Sequence, residues 1–293
     1  MEVVVVGAGS LGSLLGGLLA REHAVTLVGR DPHVSAVRRE GLRVTGAREF
    51  AVSPAARTDL GDATADIALV TVKAFDTEGA AATLADADVG AVCSLQNGLG
   101  NEERLAAHLD PPILAGVTTF GARLEGPGVV ECTGVGDVTV GPHADAPLEA
   151  AERAGAAFRA AGTEATVVGD PRPALWEKLA VNAGINPVTA LARIENGALA
   201  DGPAAELAER AAREVAAVAR AEGIDLDGAD AVGALRAVVE RTAANTSSMR
   251  QDVEAGRPTE IDALNGAVAE RAPEGVDTPV NATLAALVRA REA

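Results

Sequence analysis

A chain of 293 residues with a formal net charge of −17 and only two cysteines rules out several classes at once. The acidic excess repels nucleic-acid phosphates and anionic membrane surfaces, so neither is an expected partner. Cys93 and Cys132 stand apart, with no CxxC spacing and no metal-ligand neighbours, which excludes a disulfide framework and a metal site and fits a reducing cytoplasm.

The length is comfortable for two domains, each with its own core. From Val3 to Ala20 the chain runs eighteen residues without a charge, the lower limit for a membrane-spanning helix. A secretory signal needs a positively charged start, and the only charge before this run is Glu2. Five glycines interrupt the stretch and Val3–Val6 are all β-branched, so it reads as a strand, a glycine turn and a helix. "GAGSLG" sets Gly7, Gly9 and Gly12 in G-x-G-x-x-G spacing between that strand and that helix, the context of a dinucleotide-binding loop. Gly7 permits the tight turn, Gly9 lets the backbone approach a pyrophosphate, and Gly12 lets helix and strand pack closely. Ala8, Ser10 and Leu11 complete the loop, whose helix N-terminus favours phosphate charge.

Short apolar runs at Ala24–Gly29, Ile67–Val72, Val92–Leu95 and Ile113–Val117 predict further buried strands of a parallel sheet. After the second strand, Arg30 is the first charged side chain, suited to the 2′-phosphate of NADP, although Asp31 beside it could repel that group. "TVKAFDT" and "LQNGLGNEE" place Lys73 and Asn97 just beyond strands, at the sheet edge where cofactors lie; Asn97-Gly98 is equally a common turn pair. Gly128–Gly141 reads as a hairpin-like pair of strands and Ala165–Asp170 as the last strand. "DPRP" then ends the strand signals, which sets domains at 1–170 and 171–293, an α/β domain with a Rossmann-type parallel sheet followed by an all-helical one.

In "LWEKLAVNAGINPVTAL", Lys178, Asn182 and Asn186 recur at i, i+4 and i+8, one polar stripe among otherwise apolar residues. Burying an ammonium and two amides is costly unless something binds them. Pro187 predicts a kink or helix end at Asn186. All but two of the 25 basic residues are arginine, the composition of proteins from salt-accumulating, GC-rich microbes such as haloarchaea. Where arginine is the default cation, the lysines Lys73 and Lys178 mark chemistry that needs an ammonium able to lose its proton. Farther on, Asn245 and Ser248 are expected on one helix face, and Glu260 in the first turn of a helix capped by Thr259. A carboxylate there could simply favour the helix dipole, worth about 0.3–1 kcal/mol.

Taken in order, "GAGSLG", "VKAFDT", "LQNGLGNEE", "GVTTFGA", "WEKLAVNAGINPVTAL" and "SSMRQDVEAGRPTEIDALNG" cover essentially the whole chain, which resembles the ketopantoate reductase family. The resemblance implies a dinucleotide-binding N-terminal domain, a helical C-terminal domain, an active site in the cleft between them, and NADPH-dependent reduction of ketopantoate to pantoate for coenzyme A synthesis. It assigns Lys178 as general acid and Glu260 as an active-site carboxylate. Asn182, Asn186, Asn245 and Ser248 would hold the substrate, Arg30 and Lys73 the cofactor, and Asn97 both. Phe75 stands where the family often has tyrosine, so no hydroxyl is available there.

Ketone reduction needs a hydride to carbon and a proton to oxygen, and the proton donor also stabilises the developing alkoxide. Desolvation would lower the Lys178 pKa toward working pH, and a nearby Glu260 would limit that fall. Neutral donors such as Ser248 and the amides would hold the substrate carboxylate. Two alternatives are a reductase of another 2-oxo or 3-hydroxy acid and a non-catalytic NADP-binding redox sensor. A homodimer is compatible with the sequence, which does not set the oligomeric state.

Overall fold

The computed structural model describes residues 1–292, which form two compact units. The first comprises Met1–Gln96 and Gly100–Pro171; the second comprises Arg172–Ala293 together with Asn97–Leu99.

The first unit begins with β1 (Glu2–Val6), α1 (Ser10–Leu19), β2 (Ala24–Val28) and α2 (His33–Glu40). Short strands follow: β3 (Leu42–Gly46), β4 (Phe50–Val52), β5 (Ala55–Arg57), β6 (Thr64–Ala65) and β7 (Ile67–Val70). Next come α3 (Thr77–Leu84), β8 (Asp88–Val89), β9 (Val92–Ser94) and α4 (Asn101–Ala106). The unit closes with β10 (Ile113–Thr118), β11 (Gly121–Gly126), β12 (Val129–Gly134), β13 (Val138–Pro142), α5 (Leu148–Ala160) and β14 (Ala165–Val167).

Eight strands make one sheet in the order β14-β13-β10-β9-β7-β1-β2-β5, parallel except for the β10–β13 pair. The four valines of β1 explain its central place. Val3 and Val5 enter the core on one face, Val4 and Val6 the core on the other, as period-2 alternation in a doubly covered strand requires.

The expected hairpin within Gly128–Gly141 does not form. β12 pairs with β11 and β3 in a separate four-stranded sheet, whereas β13 joins β10 and β14 in the large one. The link before β13 is tied elsewhere: Asp137 N–H donates to Thr119 Oγ1 at 3.0 Å, and Thr118 Oγ1 donates to Asp137 O at 2.9 Å. Alternation reports that a segment is a strand and not which strand it will pair with. A neutral His33 docks the small sheet: its Nδ1 accepts from Gly128 N at 3.1 Å, so Nε2 carries the proton and donates to Ser13 Oγ at 2.9 Å. Burial lowers the His33 pKa. The stability carried by its neutral form is therefore fully present above the ordinary histidine pKa and is lost as pH falls below that value through the lowered one.

The second unit is helical: α6 (Arg172–Ala192), α7 (Gly202–Ala221), α8 (Gly228–Arg241), α9 (Ser248–Glu254), α10 (Ala267–Arg271) and α11 (Pro279–Glu292). Alanines and valines of α7 with Trp176, Leu179 and Ile185 of α6 build its core. The helix end that the sequence allowed at Pro187 does not occur: α6, 21 residues long, continues through it. The carbonyl that Pro187 deprives of a donor, Ala183 O, receives the side-chain amide of Asn265 at 3.0 Å instead.

Ion pairs such as Arg213–Glu209–Arg236 and Arg250–Glu254 include exposed partners and contribute about 0–1 kcal/mol each, too little to offset the acidic excess. The melting temperature is expected to fall as salt is lowered from molar to about 0.1 M, because the Debye length lengthens from about 3 to 10 Å and the excess negative charge repels itself. A melting temperature independent of salt would contradict this.

Candidate active site

The glycine loop is held by its own packing at two positions and left open at the third. Gly7 has φ +107°, and a Cβ there would lie 2.7 Å from Val72 N. At Gly12 a Cβ would lie 2.2 Å from Gly7 O. Thr71 Oγ1 donates to that same carbonyl at 2.9 Å and fixes the turn. Gly9 is different: its φ of −83° suits any residue, and the nearest atom to an added Cβ is 4.0 Å away. Nothing in the first unit fills the space beside Gly9, which leaves room there for a group approaching the loop from outside. α1 begins at Ser10 with no side-chain cap and no acidic residue in its first turn, leaving backbone N–H groups and the positive dipole end for an anion. Ser10 Oγ accepts from Leu124 N at 3.1 Å, while Ala8 is buried and Leu11 packs against the core. These features fit a dinucleotide pyrophosphate.

Arg30 is exposed just past the carboxyl end of β2. Asp31, the feared competitor, is turned away into α2: its Oδ1 accepts from Ser35 Oγ at 2.6 Å and from Ser35 N at 3.0 Å. The Ser35 hydroxyl and amide hold its carboxyl below the usual carboxylate range. Lys73, half-buried, follows β7 and precedes a 3₁₀ turn at Ala74–Asp76, where Phe75 is exposed. Both cysteines are buried, and burial pushes the Cys93 thiol up to about 12, so neither suits a nucleophile.

In the second unit, Lys178, Asn182 and Asn186 do lie on one face of the continuous α6. Burial lowers the Lys178 pKa from 10.5 to about 8, and the Glu260 carboxylate opposes that fall. Glu260 is itself buried and accepts from Asn97 Nδ2 at 3.0 Å across 163 positions of sequence. Asn97 can reach it because Gly98, at φ +86°, lies so close to the Ala263 carbonyl that a Cβ would be 2.3 Å from it. The Asn-Gly pair thus bends the chain and delivers the amide to Glu260.

Two expectations in this unit are corrected. Glu260 does not lie in the first turn of an α-helix: it precedes a π-helical turn, Asp262–Gly266, and Thr259 Oγ1 accepts only from Ile261 N, at 3.3 Å. Asn245 and Ser248 do not share a helix face, because α9 starts at Ser248 with Ser247 as its N-cap, and Asn245 lies in the preceding loop. Ser247 Oγ and Thr189 Oγ1 are 2.7 Å apart, which ties the start of α9 to α6 one turn past Asn186. Asn196 N donates to Asn245 O at 3.0 Å and holds that loop. Sequence reasoning missed Ser247, Thr189 and Asn196; the N-cap preference for serine was the available signal for Ser247.

The first unit offers an uncapped helix end behind a glycine loop, and the second a desolvated lysine beside a buried carboxylate that an amide holds. Residues 3–145 match the family model "Ketopantoate reductase PanE/ApbA", and residues 170–292 match "Ketopantoate reductase PanE/ApbA C terminal". The chain belongs to the ketopantoate reductase family. Among relatives of this family, it is 46% identical to the 2-dehydropantoate 2-reductase of Halobacterium salinarum, covering 99% of this chain and 98% of the relative. The Archaeoglobus fulgidus 2-dehydropantoate 2-reductase is 42% identical over the same shares. Among solved structures, the ketopantoate reductase from Ralstonia eutropha superposes with a TM-score of 0.89 at 34% identity, covering 100% and 98% of the two chains. D-mandelate dehydrogenase with NADH and anilino(oxo)acetate superposes with a TM-score of 0.93 at 26% identity over the same shares.

Proposed function

We propose that this protein is an NADPH-dependent 2-dehydropantoate 2-reductase that converts ketopantoate to pantoate in the cytoplasm, for pantothenate and coenzyme A synthesis. The observation that carries it is Lys178, whose ammonium is desolvated to a pKa of about 8 within electrostatic reach of Glu260. Bound NADPH supplies the hydride. The glycine loop and the α1 N-terminus would hold its pyrophosphate, and Lys73 would add a cation at the sheet edge. Lys178 hydrogen-bonds the ketone oxygen, stabilises negative charge as it develops there, and gives up its proton. Glu260 keeps enough of Lys178 protonated at neutral pH to act, and Asn97 fixes the carboxylate that does so. Asn182, Asn186, Asn245 and Ser248 orient the substrate through neutral donors, whose short-range contacts molar salt screens less than long-range attraction.

NADPH oxidation with ketopantoate in high-salt buffer tests the proposal, run beside a panel of 2-oxo acids. The likeness to D-mandelate dehydrogenase favours one competing substrate class, 2-oxo acids bearing an aryl group. Faster turnover of phenylglyoxylate than of ketopantoate would select it. No turnover of any 2-oxo acid, with NADPH bound, would leave a nucleotide sensor.

Nucleotide choice turns on Arg30. Its guanidinium can pair bidentately with the 2′-phosphate, and with Asp31 engaged by Ser35 the contact keeps about 1.5–3 kcal/mol. Arg30→Ala is expected to lower kcat/KM for NADPH about ten- to a hundredfold and to leave that for NADH nearly unchanged. Equal losses with both nucleotides would assign Arg30 to the fold.

A further inference from the structure

The helix that carries Lys178, Asn182 and Asn186 contains a proline, and the way its defect is repaired has a functional consequence. Pro187 has no N–H, so the Ala183 carbonyl one turn earlier loses its ordinary donor. Asn265, fully buried in the π-helical turn just after Glu260, donates Nδ2 to Ala183 O at 3.0 Å and to Asn281 Oδ1 at 2.9 Å. Asn281, also fully buried, donates its own amide to Ala211 O at 3.1 Å and to Glu214 Oε2 at 2.8 Å. Glu214 in turn accepts the backbone N–H groups of Val280 and Asn281, at 3.0 and 2.9 Å, in the first turn of α11. Carboxylates and carbonyls only accept, so both amide orientations follow from the partners: Asn281 must present Nδ2 to α7, which leaves Oδ1 for the Asn265 amine. A chain of hydrogen bonds therefore runs from α7 through α11 and the π turn to α6.

We propose that Asn265 is a positioning residue for the reaction: its amide takes the place of the bond that Pro187 removes and registers the helix carrying Lys178 against the turn carrying Glu260. This rests on the reductase reading for its catalytic consequence but not for the tether itself. A proline that merely required a donor could be satisfied by water or by a local bend; here the donor comes from the segment whose carboxylate acts on Lys178. A bond that relieved only the proline and a bond that also tethers two segments make different predictions, because Pro187→Ala restores a donor to Ala183 while restoring no link to the π turn.

The test compares Asn265→Ala, Pro187→Ala and the double variant. Turnover is measured with NADPH and ketopantoate, stability by melting, and the Lys178 titration by NMR of ¹³C-lysine-labelled protein, in which only two lysines contribute signals. Asn265→Ala is expected to lower both melting temperature and kcat, kcat by about tenfold or more, since small misplacements of reacting groups are costly. The Lys178 titration should move to lower pH as Glu260 loses its register. Pro187→Ala should stay close to wild type. The double variant should regain melting temperature while kcat and the titration stay displaced; if Asn265→Ala alone fails to fold, the double variant carries the test. Recovery of kcat and titration together with stability would overturn the proposal, as would an unmoved Lys178 titration in both Asn265 variants. Failure of the wild type to reduce ketopantoate would instead overturn the substrate assignment, while the titration still decides the tether.

Discussion

Lys178→Ala is expected to lower kcat for ketopantoate reduction by about 10²-fold or more while NADPH still binds, the loss typical of removing a positioned general acid. Calorimetric NADPH titration and steady-state kinetics on the same preparation measure the two sides. Lys178→Arg should rescue little, because guanidinium keeps the charge but does not release its proton near neutral pH. The pH profile gives a further check whose sign follows from the role. A general acid must be protonated to act, so with a pKa of about 8 in the free protein the wild-type kcat/KM should hold below that pH and decline as pH rises through it. An unperturbed lysine would place that decline near 10.5. Near-normal turnover in Lys178→Ala would remove Lys178 from the chemistry.

Glu260→Gln is expected to have the next largest effect. Glutamine retains the shape and an oxygen for the Asn97 amide, so the substitution removes charge with the least disturbance of geometry. The carboxylate raises the Lys178 pKa against desolvation; without it, that pKa falls further and a smaller fraction of Lys178 is protonated at pH 7. The alkaline limb of the kcat/KM profile should therefore move to lower pH, and kcat/KM at pH 7 should drop about tenfold or more. A variant with only a lower melting temperature and an unmoved profile would return Glu260 to the humbler role of a carboxylate near a helical turn.

Both expectations concern residues visible in the sequence, but the sequence does not place Glu260 against Lys178 by any local pattern. What it does determine is local. Four β-branched residues, three glycines at fixed offsets and an apolar run specify strand, turn and helix within twenty positions, because backbone sterics and side-chain periodicity act over that range. The same holds for the polar stripe of α6, whose spacing puts Lys178, Asn182 and Asn186 on one face wherever the helix lies.

Tertiary structure decided the rest wherever a group had more than one chemically acceptable partner. The strands of Gly128–Gly141 satisfy a hairpin's alternation, yet the ties from Thr118 and Thr119 to Asp137 send β12 and β13 to different sheets. Pro187 would end a helix on local grounds, but an amide 82 positions away supplies the missing donor and α6 continues. Asn97-Gly98 reads as a turn until Ala263 packs against the glycine and brings the asparagine to Glu260. For Pro187 and Asn97 the deciding contact joins segments 82 and 163 positions apart, whose closure entropy only the assembled core offsets, so no local window of sequence contains the information.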